Sequence, residues 1–178
     1  MILKISLSLI VIIIFVVIVL LIRAPKSYRV TRSILINATP AEIFPYANNP
    51  QTMQEWNPFT MDDPTLKMTY SGPSEGIGAQ SAWDGNSNTG KGQATIIESE
   101  MQKKVTVRLE FVKPMKGTNR GEYLLEEKGL ATLFTWSLYE ESFVPRVLSQ
   151  VINLDKIIGD QFERGLEKLK TIVESKRN

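Results

Sequence analysis

The stretch "VINLDKIIGDQFERGLEKLKTIV", Val151–Val173, decides how the rest of the chain must be arranged. Val151, Leu154, Ile158, Phe162, Gly165, Leu169 and Ile172 recur at helical spacing. Asp155, Lys156, Asp160, Glu163, Arg164, Glu167, Lys168 and Lys170 mostly face away, and Pro145 lies near the start of the segment. A helix of roughly 25 residues with so wide an apolar face has to cover something large. Gly165 on that face lets another backbone come close.

The preceding sequence offers a sheet for it to cover. Tyr28 to Ile36 alternates, with Val30, Arg32, Ile34 and Ile36 on one face and Arg29, Thr31, Ser33 and Leu35 on the other. Further strands are expected near 65–70, 79–84, 91–100, 103–112, 119–127 and 130–139. Ser71-Gly72-Pro73, Gly85-Asn86, Gln102-Lys103, Lys116-Gly117 and Lys128-Gly129 mark the turns. Such close spacing implies antiparallel hairpins.

Between the first strand and the others lie two short helices. In "NATPAE", Thr39 is placed as N-cap, Pro40 as the first helical residue and Glu42 as the residue that reaches back. That helix carries Ile43, Phe44 and Tyr46, and Pro45 keeps it short. The second sits in "NNPQTMQEWNPF", Asn48–Phe59, where Asn49-Pro50 starts a helix and Asn57-Pro58 stops it. Under two turns remain, too few to stand without tertiary support, yet they carry Trp56.

The order of strand, two short helices, six strands and long helix is an α+β helix-grip pattern. A curved antiparallel sheet wraps the long C-terminal helix, and the short helices close the gap. A cavity left between them suits a small apolar ligand.

The chain of 178 residues is 43% apolar, one domain with something added. The addition is at the start. Ile5 to Ile22 is unbroken by charge, with only Ser6 and Ser8 polar. Eighteen helical residues span about 27 Å, close to the ~30 Å hydrocarbon core. Ile22-Arg23-Ala24-Pro25-Lys26 offers no signal-peptide cleavage site. The organisation expected is a transmembrane anchor over 1–23, a linker over 24–27 and the helix-grip domain over 28–178. Arg23, Lys26, Arg29 and Arg32 follow the span and only Lys4 precedes it, which places the domain in the cytoplasm. The basic cluster suits anionic headgroups. Setting aside Lys4 and Arg23 leaves 19 basic residues against 19 acidic, a balance that does not suit nucleic acid.

"RSILINATPAEIF", "EWNPF", "GKGQATI", "TLFTWSL" and "FERGLEKLK" resemble, in this order, landmarks of the START/Bet v 1-like (SRPBCC) superfamily, in its polyketide cyclase/dehydrase and lipid-transport branch. The likeness covers residues 28–174. It implies the helix-grip fold with a hydrophobic cavity; members include lipid carriers, ligand binders, cyclases and chaperone activators. An N-terminal anchor on such a domain resembles a recurring bacterial variant, which implies a single-pass protein of the inner membrane. Met53, where relatives often carry an aromatic, and Pro45 depart from the pattern.

Cysteine and histidine are absent, which removes thiol nucleophiles, the usual base near neutral pH and the standard zinc and haem ligand sets. No metal, cofactor or catalytic residue is assigned. Glu98, Glu100 and Glu110 are available for acid–base work if a pair points into the cavity; the alternative is solvated strand residues. "GNSNTGKG", Gly85–Gly92, matches a phosphate-loop spacing, but it joins two strands and lacks the Ser/Thr, so it reads as a β-turn.

The helix-grip layout puts Trp56, Phe59 and Trp83 at one end of the cavity, as a lid; the alternative is that they fill the core. Tyr70, Phe111, Tyr123, Phe134, Ile158 and Phe162 are its expected lining, with Tyr70 and Tyr123 as the polar groups, while Trp136 is assigned to the core. Three functions follow: a membrane-tethered module binding a lipid or other hydrophobic small molecule, a cyclase- or hydrolase-like enzyme on a hydrophobic substrate, or a ligand-free domain that docks a membrane partner. The enzyme needs Glu98, Glu110 or Tyr123 inside.

Overall fold

The computed structural model describes residues 2–23, 28–61, 63–140 and 153–176, with the side chains of the first helix described from Ile12 onward. The expected linker 24–27, and Pro145 and Val151 before the last helix, lie outside the described residues. Helix α1 runs Ile2–Arg23. Its side chains from Ile12 to Ile18, with Leu21 and Ile22, are exposed. Among the described residues no helix is long and apolar enough to cross a membrane. The part of α1 with described side chains starts at Ile12 and measures roughly 17 Å at 1.5 Å per residue, short of a bilayer core.

Strand β1 (Tyr28–Ile36) has the bounds that its alternation predicts. Helix α2 (Pro40–Asn48) follows a complete capping box: the Thr39 hydroxyl accepts from the Glu42 amide, and the Thr39 amide donates to Glu42 Oε2 at 2.7 Å. Pro45 sits inside α2, which ends three residues later, at Asn48. Helix α3 (Pro50–Gln54) begins as expected, Asn49 Oδ1 accepting from the Gln51 amide at 2.8 Å.

The second Asn-Pro pair departs from expectation. Asn57 Oδ1 accepts from the Phe59 amide at 3.1 Å, and Pro58 opens a further helix, α4 (Pro58–Met61). The same chemistry that starts α3 starts α4, so three short helices replace the expected two. Proline's fixed φ suits a first helical position as well as it ends a preceding one.

The rest is β2 (Lys67–Ser71), β3 (Gln80–Asp84), β4 (Lys91–Glu100), β5 (Lys104–Lys113), β6 (Gly117–Lys128), β7 (Ala131–Glu140) and α5 (Leu154–Ser175). The seven strands form one antiparallel sheet in the order β1-β7-β6-β5-β4-β3-β2. The helix-grip α+β arrangement follows from this: consecutive hairpins run out to β2, and β1 closes the other edge beside β7.

Helix α5 buries Gly159, Phe162, Gly165, Leu166, Leu169 and Val173. Gly165 is a point of close approach, as its position on the apolar face predicts. A Cβ there would lie 2.9 Å from Pro58 Cδ and 3.1 Å from both Trp136 Cζ3 and the Trp56 carbonyl oxygen. At the N-terminal half of α5, Arg32 of β1 pairs with Asp155 at 2.9 Å and Glu163 at 2.8 Å. A Cβ on Gly159 would strike that guanidinium. Arg32 is therefore engaged with α5.

Candidate ligand-binding site

Trp56, placed at the end of a helix of five residues, is completely buried. Its Nε1–H donates to the Tyr46 carbonyl at 2.9 Å, which satisfies the only polar atom of the side chain. Its ring meets Tyr123, Phe134 and Trp136 edge-on, with centroids 5.7, 6.0 and 5.2 Å away. Trp136 stacks on Phe162 of α5 at 3.9 Å and 6°. Phe59 closes the group edge-on against both Trp136 and Phe162, with one side in solvent.

Accessible surface includes any surface that faces an internal void larger than a water molecule. Exposures of 0% for Trp56 and Phe134 and 1% for Phe162 therefore mean that no such void touches these rings. The space between sheet and α5 at this level is packed with aromatics. Of the two readings of Trp56, core filling describes its environment.

The nine expected ligand residues are thus divided. Trp56, Phe59, Tyr123, Phe134 and Phe162 come together around Trp136. Ile158 packs half-buried against the same core. Trp83 stands apart from Trp56 and Phe59, with its ring edge-on to Phe111 at 5.6 Å. Tyr70, near the outer edge on β2, is exposed.

Trp83 and Phe111 belong to a groove of about 830 Å³ at one end of the sheet. Two cross-strand rows build it. Thr69, Ala82, Gln93, Glu110 and Thr118 are register partners across β2 to β6 and share a face. Trp83, Gly92, Phe111 and Gly117 are partners in the adjacent row and share the opposite face. Gly92 makes room for the indole, because a Cβ there would lie 2.5 Å from Trp83 Cζ2. The register slips between Lys91 and Gly92, leaving Val112 as the extra residue of a bulge. Val112, Lys67, Asp84, Lys91 and Lys116 complete the lining.

The groove combines an apolar wall with cations. Lys91 is tied to Asp84 at 2.6 Å, and this bond holds the Asp84 carboxyl below its ordinary range. Of the fourteen residues that line the groove only Trp83 and Phe111 are among the expected ligand residues; the other twelve, Lys67, Gln93, Lys116 and Thr118 among them, are not. The one available signal was Gly92: a glycine inside a strand marks a close approach.

The carboxylates weighed for acid–base chemistry face outward. Glu98 accepts from Lys104 at 2.9 Å and Thr106 at 2.8 Å, which lowers its pKa, opposite to the shift a neutral-pH base requires. Glu100 joins Lys104 at 3.2 Å, and Glu110 is held by Gln93 at 2.8 Å and Arg108 at 3.5 Å. Tyr123 is inside, its hydroxyl 3.6 Å from Met53 Sδ, and burial raises its pKa.

"GNSNTGKG" forms the β3–β4 hairpin loop, as the turn reading expects, with Gly85 N–H donating to the Gly90 carbonyl at 2.9 Å. Asp63 fastens this loop to the segment before β2. Its Oδ2 accepts from the Asn86 amide at 2.7 Å, and its Oδ1 from the Thr65 hydroxyl and amide at 2.7 and 2.9 Å. The Asn86 amide bond is the largest cause of a carboxyl pKa held far below its ordinary 3.8. A depressed folded-state pKa contributes stability above the unfolded value that is lost as pH falls toward the folded one. Asp63→Asn is expected to lower the melting temperature at neutral pH. The gap from the parent should narrow as pH drops from about 5 to about 2, read by circular dichroism. A gap that stays constant would show that the charge of Asp63 contributes nothing.

Comparison with curated protein sequences returns no significant match. Solved structures match in fold. Protein MLL2253 from Mesorhizobium loti superposes with a TM-score of 0.61 at 12% identity, over 83% of this chain and 98% of that one. Protein CV1439 from Chromobacterium violaceum gives 0.58 at 12% identity, over 84% and 98%. Ara h 8.0201 gives 0.58 at 11% identity, over 84% and 99%. At these identities the likeness speaks for the helix-grip fold alone. The sequence profile described as "Polyketide cyclase / dehydrase and lipid transport" matches residues 27–174, almost the whole span from β1 to the end of α5. On that match, with the seven-stranded sheet gripping α5, the chain belongs to the polyketide cyclase/dehydrase and lipid-transport family of the SRPBCC superfamily.

Proposed function

We propose that this protein is a membrane-tethered binding module for a lipid or other hydrophobic small molecule, seated in the groove walled by Trp83 and Phe111. The groove carries the reading. It is a concavity whose lining combines aromatic carbon with dispersed polar groups, the usual make-up of a small-molecule site. Family membership supports the ligand class. The remaining aromatics of the expected site act behind it, as the packed support on which the sheet bends.

Residues 1–23 serve as the anchor and place the domain on the cytoplasmic face of a bacterial inner membrane. The uncharged run Ile5 to Ile22, the continuous α1 and its exposed apolar side chains support this. Sodium carbonate extraction of membranes bearing the full chain tests the tether. Retention in the pellet is expected, and release into the supernatant contradicts it.

The cyclase alternative has weaker support: Glu98 is tied to Lys104 and Thr106, Glu110 lines the groove but is held by Gln93 and Arg108, and the Tyr123 hydroxyl is buried in the aromatic centre with its pKa raised. The docking-domain alternative shares the packed interior and does not account for the groove. The ligand reading is tested with a fluorescent fatty acid titrated into the detergent-solubilised full chain. Trp83→Ala is expected to weaken binding about tenfold, roughly 1.4 kcal/mol. Leu130→Ala, at the far end of the sheet, should leave it unchanged. Equal affinity for parent and Trp83→Ala would remove the groove as the site.

A further inference from the structure

The groove end of the sheet is also where the chain arrives from α1. β1 starts there, β7 ends there, and so do the β5–β6 and β3–β4 turns. Four residues separate Arg23 from Tyr28, so the two lie within about 18 Å of each other. The β5–β6 turn is three strand spacings from β1, about 14 Å.

That turn is amphipathic. Val112 and Met115 are 48% and 56% exposed, and they alternate with Lys113 and Lys116. Lys113, Lys116 and Lys67 make no salt bridge among the described residues. Of the carboxylates described nearby, Asp84 is bonded to Lys91 and is also acted on at longer range by Lys113 and Lys67, Glu110 is held by Arg108 and Gln93, and Asp63 by backbone amides. On the outer face of the same end, Arg29 and Arg120 flank the Tyr139 ring at 4.8 and 4.6 Å. At the opposite end of the sheet Lys104 is neutralised by Glu98 and Glu100, and Lys128 by Glu126, while Met101, Leu130 and Lys103 are exposed there. What sets the groove end apart is its closeness along the chain to Arg23.

From this juxtaposition we infer that the β5–β6 turn docks on an anionic bilayer surface, with Met115 in the interface and Lys113 and Lys116 against lipid headgroups. The inference rests on the tether reading. Apolar tips beside unpaired cations bind such surfaces through both burial and charge. Docking would turn the Trp83–Phe111 groove toward the source of its ligand and spare that ligand a passage through water.

The chain has no cysteine, so Met115→Cys and Leu130→Cys each give a single labelling site for an environment-sensitive fluorophore. The full chain is reconstituted into phosphatidylcholine vesicles with and without phosphatidylglycerol, and carbonate extraction is run on the same samples. With phosphatidylglycerol present, the label at position 115 should shift to the blue and become several-fold less quenchable by iodide. The label at 130 should stay water-like, and Lys113→Gln with Lys116→Gln should abolish the shielding at 115. Retention after carbonate with equal quenching at 115 and 130 would overturn the docking and leave the tether standing. Release by carbonate would overturn the tether, and the docking with it.

Discussion

Replacing Trp56 by alanine is expected to destabilise the domain by about 4 kcal/mol, within the ~3–5 kcal/mol typical of deleting a buried aromatic. The indole is fully buried against Tyr123, Phe134 and Trp136, and α5 and the sheet meet over it. Little on α3 can move into the space, because Pro50 and Met53 are themselves buried and Met53 Sδ accepts from the Tyr123 hydroxyl. A domain this size has a total stability of about 5–15 kcal/mol, so the variant should be partly unfolded or sharply shifted in a urea titration. Trp56→Phe separates two contributions. It keeps most of the ring contact but leaves the Tyr46 carbonyl without its donor, for an expected loss of roughly 1–3 kcal/mol. A loss under about 1 kcal/mol for the alanine variant would mean that the aromatic centre is not tightly packed.

The second large effect is expected at Gly165. Adding a methyl there gains up to ~1 kcal/mol of helix propensity. It also pushes against Pro58 Cδ at 2.9 Å and against Trp136 and the Trp56 carbonyl at 3.1 Å. Two of those neighbours are a proline ring and backbone, and the third is stacked on Phe162. None yields like a flexible side-chain end, so overpacking of about 1–3 kcal/mol outweighs the gain. Gly165→Ala should therefore lower stability by about 1 kcal/mol, and Gly165→Val by about 3 kcal/mol or more, since its branch adds two further atoms. Combining Gly165→Ala with Pro58→Ala should recover part of the loss, because the two positions share one contact. A stabilised Gly165→Ala would show that α5 sits farther from the short helices.

Much of the fold is legible in the sequence because its signals are local. The strand limits of β1 and β4 follow from alternation bounded by turn residues. The starts of α2 and α3 follow from Thr39-Pro40 and Asn49-Pro50, whose side chains bond amides two or three residues away. Gly165 is legible for a related reason: a glycine at helical spacing with large apolar residues points to a contact. What remained hidden depends on tertiary register. Asn57-Pro58 reads equally as the end of one helix or the start of another, and only packing against α5 decides for α4. Trp56 sits on a helix too short to have a polar and an apolar face, so periodicity could not say whether it covers the core or fills it. The groove is hidden more deeply still. It depends on which residue of β5 faces Gly92, and the slip that leaves Val112 unpaired cannot be read from either strand alone. For the same reason the helix-grip layout alone groups Trp83 with Trp56 and Phe59, while the sheet register sets it beside Phe111.

The central claim is that the aromatic centre under α5 is solid and that an apolar ligand is held at the Trp83–Phe111 end instead. It is tested most directly by photolabelling the full chain in native-like membranes with a diazirine-bearing fatty acid, followed by peptide mass spectrometry. Adducts are predicted in the segments around Trp83 and Phe111 to Lys116, and not on Phe134, Trp136 or Phe162. Labelling concentrated on those three residues would mean that the interior opens to admit a chain, and would contradict the account.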